Sequence, residues 1–225
     1  MANLILYHGS FQVVKKPIYG KGNPHNDYGL GFYCTEHSEL AKEWACSGLS
    51  DGFVNQYEID ISQLNILDLS SEKYTILHWL ALLMDNRIVS LSSPVMMAGA
   101  DWLKEHFLPD IRPYDAIIGY RADDSYFSFA RAFVNNEISV AQLNEAMMLG
   151  DLGEQFVLKS EKAFDLLRFI SFETAARSIY FPRRRERDEA ARMAYSAEIK
   201  RDILEGLYIR DLIREEVSAD DPRIQ

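Results

Sequence analysis

Cysteine is scarce in this sequence, with only Cys34 and Cys46 among 225 residues. Two cysteines cannot build the disulfide framework of a small secreted domain, and their spacing does not fit a zinc site. No run of about 18 apolar residues is present, so the sequence predicts no membrane-spanning helix and no membrane partner. The first residues also lack the basic stretch of a secretion signal. We therefore expect a cytoplasmic protein with reduced thiols.

Positive charge is also in short supply. The chain has 24 Lys and Arg against 34 Asp and Glu, which gives a net charge of −10. General nucleic-acid binding depends on Lys and Arg that neutralise phosphates, so the composition argues against it, although a local basic groove remains open. The five histidines are scattered and show no His-x-x-x-His spacing. The sequence therefore predicts that no metal is needed.

The length and the 48% hydrophobic content indicate one globular domain, possibly with a small appendage. Its predicted elements are a mixture of strands and helices, so we expect an α+β domain over residues 1–172. Apolar runs and alternation predict strands at Leu4–Tyr7, Gly31–Thr35, Phe53–Ile61, Leu64–Leu69, Tyr114–Tyr120 and Glu154–Lys159. Periodicity and caps predict helices at Tyr74–Met84, Ala98–Phe107, Ser125–Val134 and Val140–Leu149, and one after Ser38 as N-cap. The segment Ala163–Phe169 is predicted as strand or turn. Asp123 either caps a helix or lies at the rim of a cleft with Asp124.

Residues 173–225 differ in character from the rest of the chain. The stretch Pro182–Arg187 is basic, and Asp188–Glu216 has helical periodicity among many charges. We predict a helical C-terminal extension that packs on the domain. A second interpretation, that the arginines form a docking patch for an acidic target, stays open.

Three short segments contain the residue types of a binding cleft: Tyr7-His8-Gly9-Ser10, Gly31-Phe32-Tyr33-Cys34-Thr35 and Trp44. The first is the end of an apolar strand, the second is a short aromatic strand, and the third follows Tyr33 by eleven residues on a predicted helix. Together they indicate a cleft lined by one imidazole and two flat rings, where glycines let a ligand approach the backbone.

In their order and spacing these segments resemble the ADP-ribosyltransferases of the diphtheria-toxin and poly(ADP-ribose) polymerase class. The resemblance covers roughly residues 3 to 170 and implies a split antiparallel β-sandwich with flanking helices. It implies NAD as co-substrate, with contacts from His8, Gly9, Ser10, Asn26, Gly31, Phe32, Tyr33 and Trp44. In that class His8 would bind a ribose hydroxyl, Gly9 the carboxamide, and Tyr33 and Trp44 the two faces of nicotinamide.

The catalytic position at the start of the last predicted strand has two candidates. The class places a glutamate there, which holds the 2′-hydroxyl of the nicotinamide ribose and stabilises the oxocarbenium ion. The apolar run after residue 155 favours Gln155, whereas the acid itself favours Glu154. Adjacent strand residues point to opposite faces, so only one can enter the cleft. The chain also resembles a bacterial family of unknown function in this superfamily, which favours Gln155.

The implied activity is mono-ADP-ribosyl transfer from NAD to a macromolecular target, with release of nicotinamide. This would be a glycosyltransferase reaction, in which His8, Tyr33 and Gln155 or Glu154 act at the reacting ribose. The resemblance also implies a bacterial toxin or effector, with a cognate antitoxin as partner. The alternatives are an NAD glycohydrolase and a non-catalytic module that binds NAD or ADP-ribose.

Overall fold

The structure is a computed structural model, which describes residues 3–122, 124–149, 153–199 and 206–224. Within these ranges the chain is a mixed α+β protein of seven strands and eight α-helices. The strands are β1 (Asn3–Ser10), β2 (Phe32–Cys34), β3 (Gly52–Asp60), β4 (Ile66–Asp68), β5 (Ala116–Tyr120), β6 (Glu154–Leu158) and β7 (Arg168–Ala175). The helices are α1 (Ser38–Ala45), α2 (Ile76–Asn86), α3 (Pro94–Phe107), α4 (Asp124–Val134), α5 (Val140–Met148), α6 (Glu161–Leu166), α7 (Arg177–Glu198) and α8 (Ile209–Glu215).

Two small sheets form the centre of the molecule. One has the order β1-β3-β7 and is antiparallel, and the other has the order β2-β6-β5-β4, in which β4 and β5 are parallel. A backbone bridge joins them, because Tyr7 and Thr35 exchange N–H···O bonds of 2.7 and 2.9 Å. Beyond this bridge β1 continues through His8 to Ser10, which pair with β3. The end of β1 lies against the second half of α1, where a Cβ on Gly9 would contact Ala41 and Ala45.

The apolar core has two main layers. Buried side chains from both sheets meet between them, including Leu6, Phe32, Tyr57 and Phe156. Helices α2, α3, α4 and α5 cover the second sheet and bury a larger cluster around Trp79. Each fully buried large apolar side chain contributes about 1.5–3 kcal/mol relative to exposure, so these layers fix the strands that carry the site. No helix among the described residues is both long and apolar enough to cross a bilayer.

Four elements differ from the sequence-based predictions. The stretch Asp188–Glu216, predicted as helical, is shared between α7, which already begins at Arg177, and α8, and the described residues 206–208 before α8 are not helical. Ser38 is the first residue of α1 rather than its N-cap, a position that His37 takes. The segment predicted as strand or turn begins as helix α6, because the Ser160 hydroxyl caps it by accepting from Ala163 N at 3.1 Å. The predicted boundary at residue 172 falls inside β7, which pairs with β3 through Ala175. Strand β7 is mostly exposed on both faces, so its sequence lacks the alternation of a half-buried strand.

The C-terminal extension holds helix α1 through ion pairs. On α7, Arg183 contacts Glu39 at 3.0 Å and Arg187 contacts Glu43 at 2.8 Å. Glu43 is buried, so removing Arg187 would leave an uncompensated charge and cost more than removing the exposed pair, which is worth only about 0–1 kcal/mol. Two arginines of the basic stretch therefore anchor the helix that carries Trp44. A docking role for the remaining, exposed arginines stays a hypothesis.

Candidate functional site

A cavity of about 230 Å³ lies where β1, β2, α1 and β6 meet. Its walls come from segments far apart in the chain: His8, Gly9, Asn26, Asp27, Tyr33, Trp44, Arg87, Arg121, Ala122 and Gln155. Six of the residues predicted from the class resemblance thus line one cavity: His8, Gly9, Asn26, Tyr33, Trp44 and Gln155. The fold therefore brings together an imidazole, two aromatic rings and an amide.

A second cavity of about 510 Å³ adjoins the first and shares His8, Gly9 and Trp44 with it. Its other walls are the large apolar Phe11 and five small or polar residues: Ser10, Ala45, Ser47, Gly48 and Ser50. Ligand sites commonly occupy roughly 300–1,000 Å³, so the two cavities together can take a dinucleotide-sized ligand. The shared residues His8 and Trp44 stand where such a ligand would pass from one to the other.

His8 is held in one tautomer by the neighbouring strand. Its Nδ1 lies 2.7 Å from the carbonyl oxygen of Tyr33, and its ring packs on Phe32 at 4.3 Å between centroids. A carbonyl only accepts, so Nδ1 carries the proton and Nε2 has a free lone pair. Burial lowers the pKa of His8 below its ordinary value, which keeps the ring neutral at physiological pH. His8 therefore presents a hydrogen-bond acceptor in the cavity.

The two aromatic rings of the site are fixed in different ways. The Tyr33 hydroxyl donates to Gly29 O at 2.6 Å and accepts from Tyr28 N at 3.1 Å, so the tyrosine locks the preceding loop. Burial raises the pKa of Tyr33, so the hydroxyl stays protonated as this donor role requires. The Arg121 guanidinium covers one face of Trp44, 3.8 Å from the ring centroid. The indole thus already stacks on a flat cation.

Gln155 and Glu154 lie in different environments. Gln155 is buried, with 5% of its surface exposed, and lines the cavity with His8. Glu154 is exposed and does not line that cavity; with Glu36 and His37 it lines another one of about 260 Å³, which Gln155 also borders. Strand alternation explains the difference, because neighbouring side chains on β6 face opposite sides. The residue that shares the cavity with the imidazole and the two rings is the amide.

Sequence reasoning missed the charged groups beneath the cavity. Asp27 is buried and contacts Arg87, with 2.8 Å between its Oδ1 and Nε. Its Oδ2 accepts from Ala122 N at 2.9 Å and from Gln155 Nε2 at 3.0 Å. In the sequence Asp27 is only the last residue of a polar loop, and no local pattern connects it to residues 60 or 128 positions away. Only the tertiary structure brings Asp27 and its partners together.

The site includes some predicted residues and leaves out others. Ser10 lines the second cavity, where its hydroxyl accepts from the buried Asn55 at 3.1 Å. Gly31 and Phe32 line neither of the two cavities. Phe32 instead packs between the sheets, and a Cβ on Gly31 would lie 2.8 Å from Leu158 O. Asp123, predicted as a cap or a rim residue, lies outside the described residues.

Residues 4–169 match the protein family described as "Protein of unknown function (DUF3990)". The chain belongs to this DUF3990 family. No curated protein and no solved structure matches the chain. All residues that line the two cavities lie within the DUF3990 match, whereas helices α7 and α8 lie outside it. The cavities thus lie within the residues that match the family, and α7, which pairs with α1, lies outside them.

Gly9 of this DUF3990 domain is required by packing. A Cβ at this position would lie 2.0 Å from Ala41 O and 2.8 Å from Ala45 N on α1. We expect Gly9→Ala to destabilise the fold by about 1–3 kcal/mol, because the helix must move. At this chain length that loss lowers the melting temperature by roughly 2–4 °C per kcal/mol, measurable by calorimetry.

The matched control for Gly9→Ala is Gly48→Ala on the wall of the same second cavity. A Cβ on Gly48 has no atom within 4 Å, so we expect an unchanged melting temperature. Equal melting temperatures for the two variants would contradict the close contact between β1 and α1.

Proposed function

We propose that this protein is an ADP-ribosyltransferase with an ADP-ribosyltransferase-like split sandwich, which transfers ADP-ribose from NAD to a macromolecular target. The observation that carries the proposal is the assembly of His8, Tyr33, Trp44 and Gln155, from four separate elements, around one cavity. The resemblance assigns NAD contacts or the catalytic position to these same four residues. In this proposal the adenosine half of NAD would occupy the adjoining cavity, which Ser10 lines.

In the proposed reaction the bond between C1″ of the ribose and the nicotinamide nitrogen breaks, and its electron pair neutralises the pyridinium. A target nucleophile forms the new bond at C1″ and loses its proton. Gln155 accepts a hydrogen bond from the 2′-hydroxyl, and the neutral His8 accepts one from a second ribose hydroxyl. Tyr33 and Trp44 hold the leaving ring in orientation, which lowers the entropic part of the barrier.

The contact between Arg121 and Trp44 supports a site for a flat cation. The nicotinamide ring of NAD is planar and positively charged, as the guanidinium is, and an indole face attracts both. Nicotinamide would use this face after displacing Arg121. The displaced guanidinium would remain near the cleft, where it could pair with the NAD pyrophosphate.

A second candidate is a non-catalytic module that binds NAD or ADP-ribose. The observation that favours it is Gln155, because a neutral amide stabilises an oxocarbenium ion less than a carboxylate does. An NAD glycohydrolase, with water as the nucleophile, would use the same residues as the transferase. The acceptor of ADP-ribose, a macromolecule or water, distinguishes the transferase from the glycohydrolase. Turnover of NAD distinguishes both enzymes from a binding module.

The test is titration of the purified protein with NAD by calorimetry, followed by incubation with NAD that is biotinylated on the adenine ring. We expect saturable binding that excess nicotinamide weakens, and nicotinamide release when a cell extract is added. Mass spectrometry of the labelled material then identifies a modified macromolecule. Free ADP-ribose alone would favour the hydrolase, and binding without release would favour the module. Absence of binding would refute the proposal.

A further inference from the structure

The least expected contact of the site is between a buried carboxylate and the amide at the class's catalytic position. Asp27 has 4% of its surface exposed, and its Oδ2 lies 3.0 Å from Gln155 Nε2. The partners of Asp27 are on three further segments, because Arg87 follows α2, Ala122 follows β5 and Gln155 is on β6. Asp27 is thus held rigidly under the cavity.

This contact decides which way the Gln155 amide points. A carboxylate can only accept hydrogen bonds, so the amide nitrogen must face Asp27. The oxygen Oε1 then points the other way and is available as an acceptor. Without Asp27 the amide nitrogen would have only the long 3.5 Å contact to Tyr120 O. The amide could then turn over and present N–H groups, which cannot accept a bond from a ribose hydroxyl.

The carboxylate also changes the amide electronically. A hydrogen bond to an ionised acceptor is shorter and stronger than a neutral one, and it polarises the donor group. The oxygen of an amide polarised in this way is a stronger acceptor. Arg87 offsets part of the charge of Asp27, with 2.7 Å between Nη2 and Oδ1, so the larger effect is on orientation.

We propose that Asp27 is a positioning residue that orients and polarises Gln155, so that the pair does the work of the glutamate that the ADP-ribosyltransferase class carries at this position. This inference rests on the proposed function. It explains how a site with an amide at the class's acidic position retains a carboxylate close to the reacting ribose.

The contact between Asp27 and Gln155 reverses the result that the class resemblance implies for Gln155→Glu. From the class resemblance, Gln155→Glu restores the usual acid and should preserve or raise turnover. In this structure it would instead place a second carboxylate about 3 Å from Asp27, and two like charges at that distance cannot both ionise without cost. We expect Gln155→Glu to lower the melting temperature by roughly 4 °C or more and to slow nicotinamide release.

A double variant that exchanges the carboxylate and the amide between positions 27 and 155 gives the most direct test of the pair. Asp27→Asn combined with Gln155→Glu restores an amide-to-carboxylate hydrogen bond with the polarity reversed. We expect the double variant to recover at least half of the melting temperature that Gln155→Glu loses, and to release nicotinamide about tenfold faster than Gln155→Glu does. Additive effects of the two substitutions would overturn the proposed pair. This cycle of melting temperatures needs no NAD.

The single variant Asp27→Asn separates positioning from a purely structural role. We expect kcat for nicotinamide release to fall about tenfold or more while calorimetry still counts one NAD site per chain. Asp110→Asn is the control, because Asp110 is exposed and pairs with Arg112 away from the cavity. NAD binding with unchanged kcat in Asp27→Asn would overturn the role of Asp27 alone. Absence of NAD binding by the wild-type protein would overturn the proposed function itself.

Discussion

Replacing Gln155 with alanine is expected to abolish nicotinamide release from NAD. The side chain is buried in the cavity with His8 and Trp44, and alanine removes the acceptor for the 2′-hydroxyl. Loss of one group that stabilises a transition state typically slows turnover by about 10²–10³-fold. The fold should tolerate the change, because Asp27 keeps its bonds to Arg87 and Ala122. Chromatographic assay of free nicotinamide measures the effect.

The matched control for this prediction is the adjacent residue on the same strand. Glu154 is exposed and lines the other cavity, so Glu154→Ala should leave turnover within a few-fold of wild type. Both variants should melt close to the wild-type temperature. If Glu154→Ala abolishes release while Gln155→Ala is active, the catalytic position is the ordinary class glutamate and Gln155 only packs.

Much of the fold could be predicted because its signals are local. Alternation in β3 and the capping box in which the Ser139 hydroxyl accepts from Gln142 N at 3.3 Å are visible in short windows of sequence. Most of strand β7 is not predicted, because an edge strand with both faces exposed shows no alternation of apolar and polar residues. Its end and its pairing with β3 depend on tertiary contacts, which a window of eight residues does not contain.

Some features of the candidate site could likewise be predicted from local sequence, and others could not. Strand alternation alone predicts that Gln155 and Glu154 face opposite sides; in the structure only Gln155 lines the cavity with His8, and both residues border the other cavity. Asp27 and Arg87 could not be predicted, because their roles arise only when a loop, the end of α2 and β6 come together. The need for glycine at position 9 was attributed to ligand approach, whereas the close neighbour in the structure is the backbone of α1.

The C-terminal extension lies outside the residues that match the family, yet it contacts the helix that carries Trp44. Its arginines pair with Glu39 and Glu43, which flank the turn of α1 before Trp44. Holding this short helix fixes the indole relative to His8 across the cavity. Two arginines of the basic segment thus have a structural role, although the sequence alone also allows a docking patch.

Replacing His8 with alanine is expected to weaken NAD binding by about tenfold. The variant loses one hydrogen-bond acceptor, worth about 0.5–1.5 kcal/mol, together with part of the ring packing that lines both cavities. Calorimetric titration with NAD measures the change. His106→Ala is the control, since that histidine is exposed on α3 and stacks on Trp102 far from the cavity.

The pH dependence tests the role assigned to the neutral ring. Because burial lowers the folded-state pKa of His8 from its ordinary 6.5, more than half of the wild-type rings are neutral at pH 6.5, and the neutral fraction rises further with pH. NAD affinity should therefore change little from pH 8 to about 6.5 and fall mainly in more acidic solution, where protonation removes the Nε2 acceptor. The unfolded chain takes up its proton first, so the His8 contribution to the free energy of unfolding is also lost as the pH falls below 6.5. His8→Ala should lose this acid limb while His106→Ala keeps it. An acid limb of the same size in His8→Ala would assign the titration to another group and remove His8 from the ribose site.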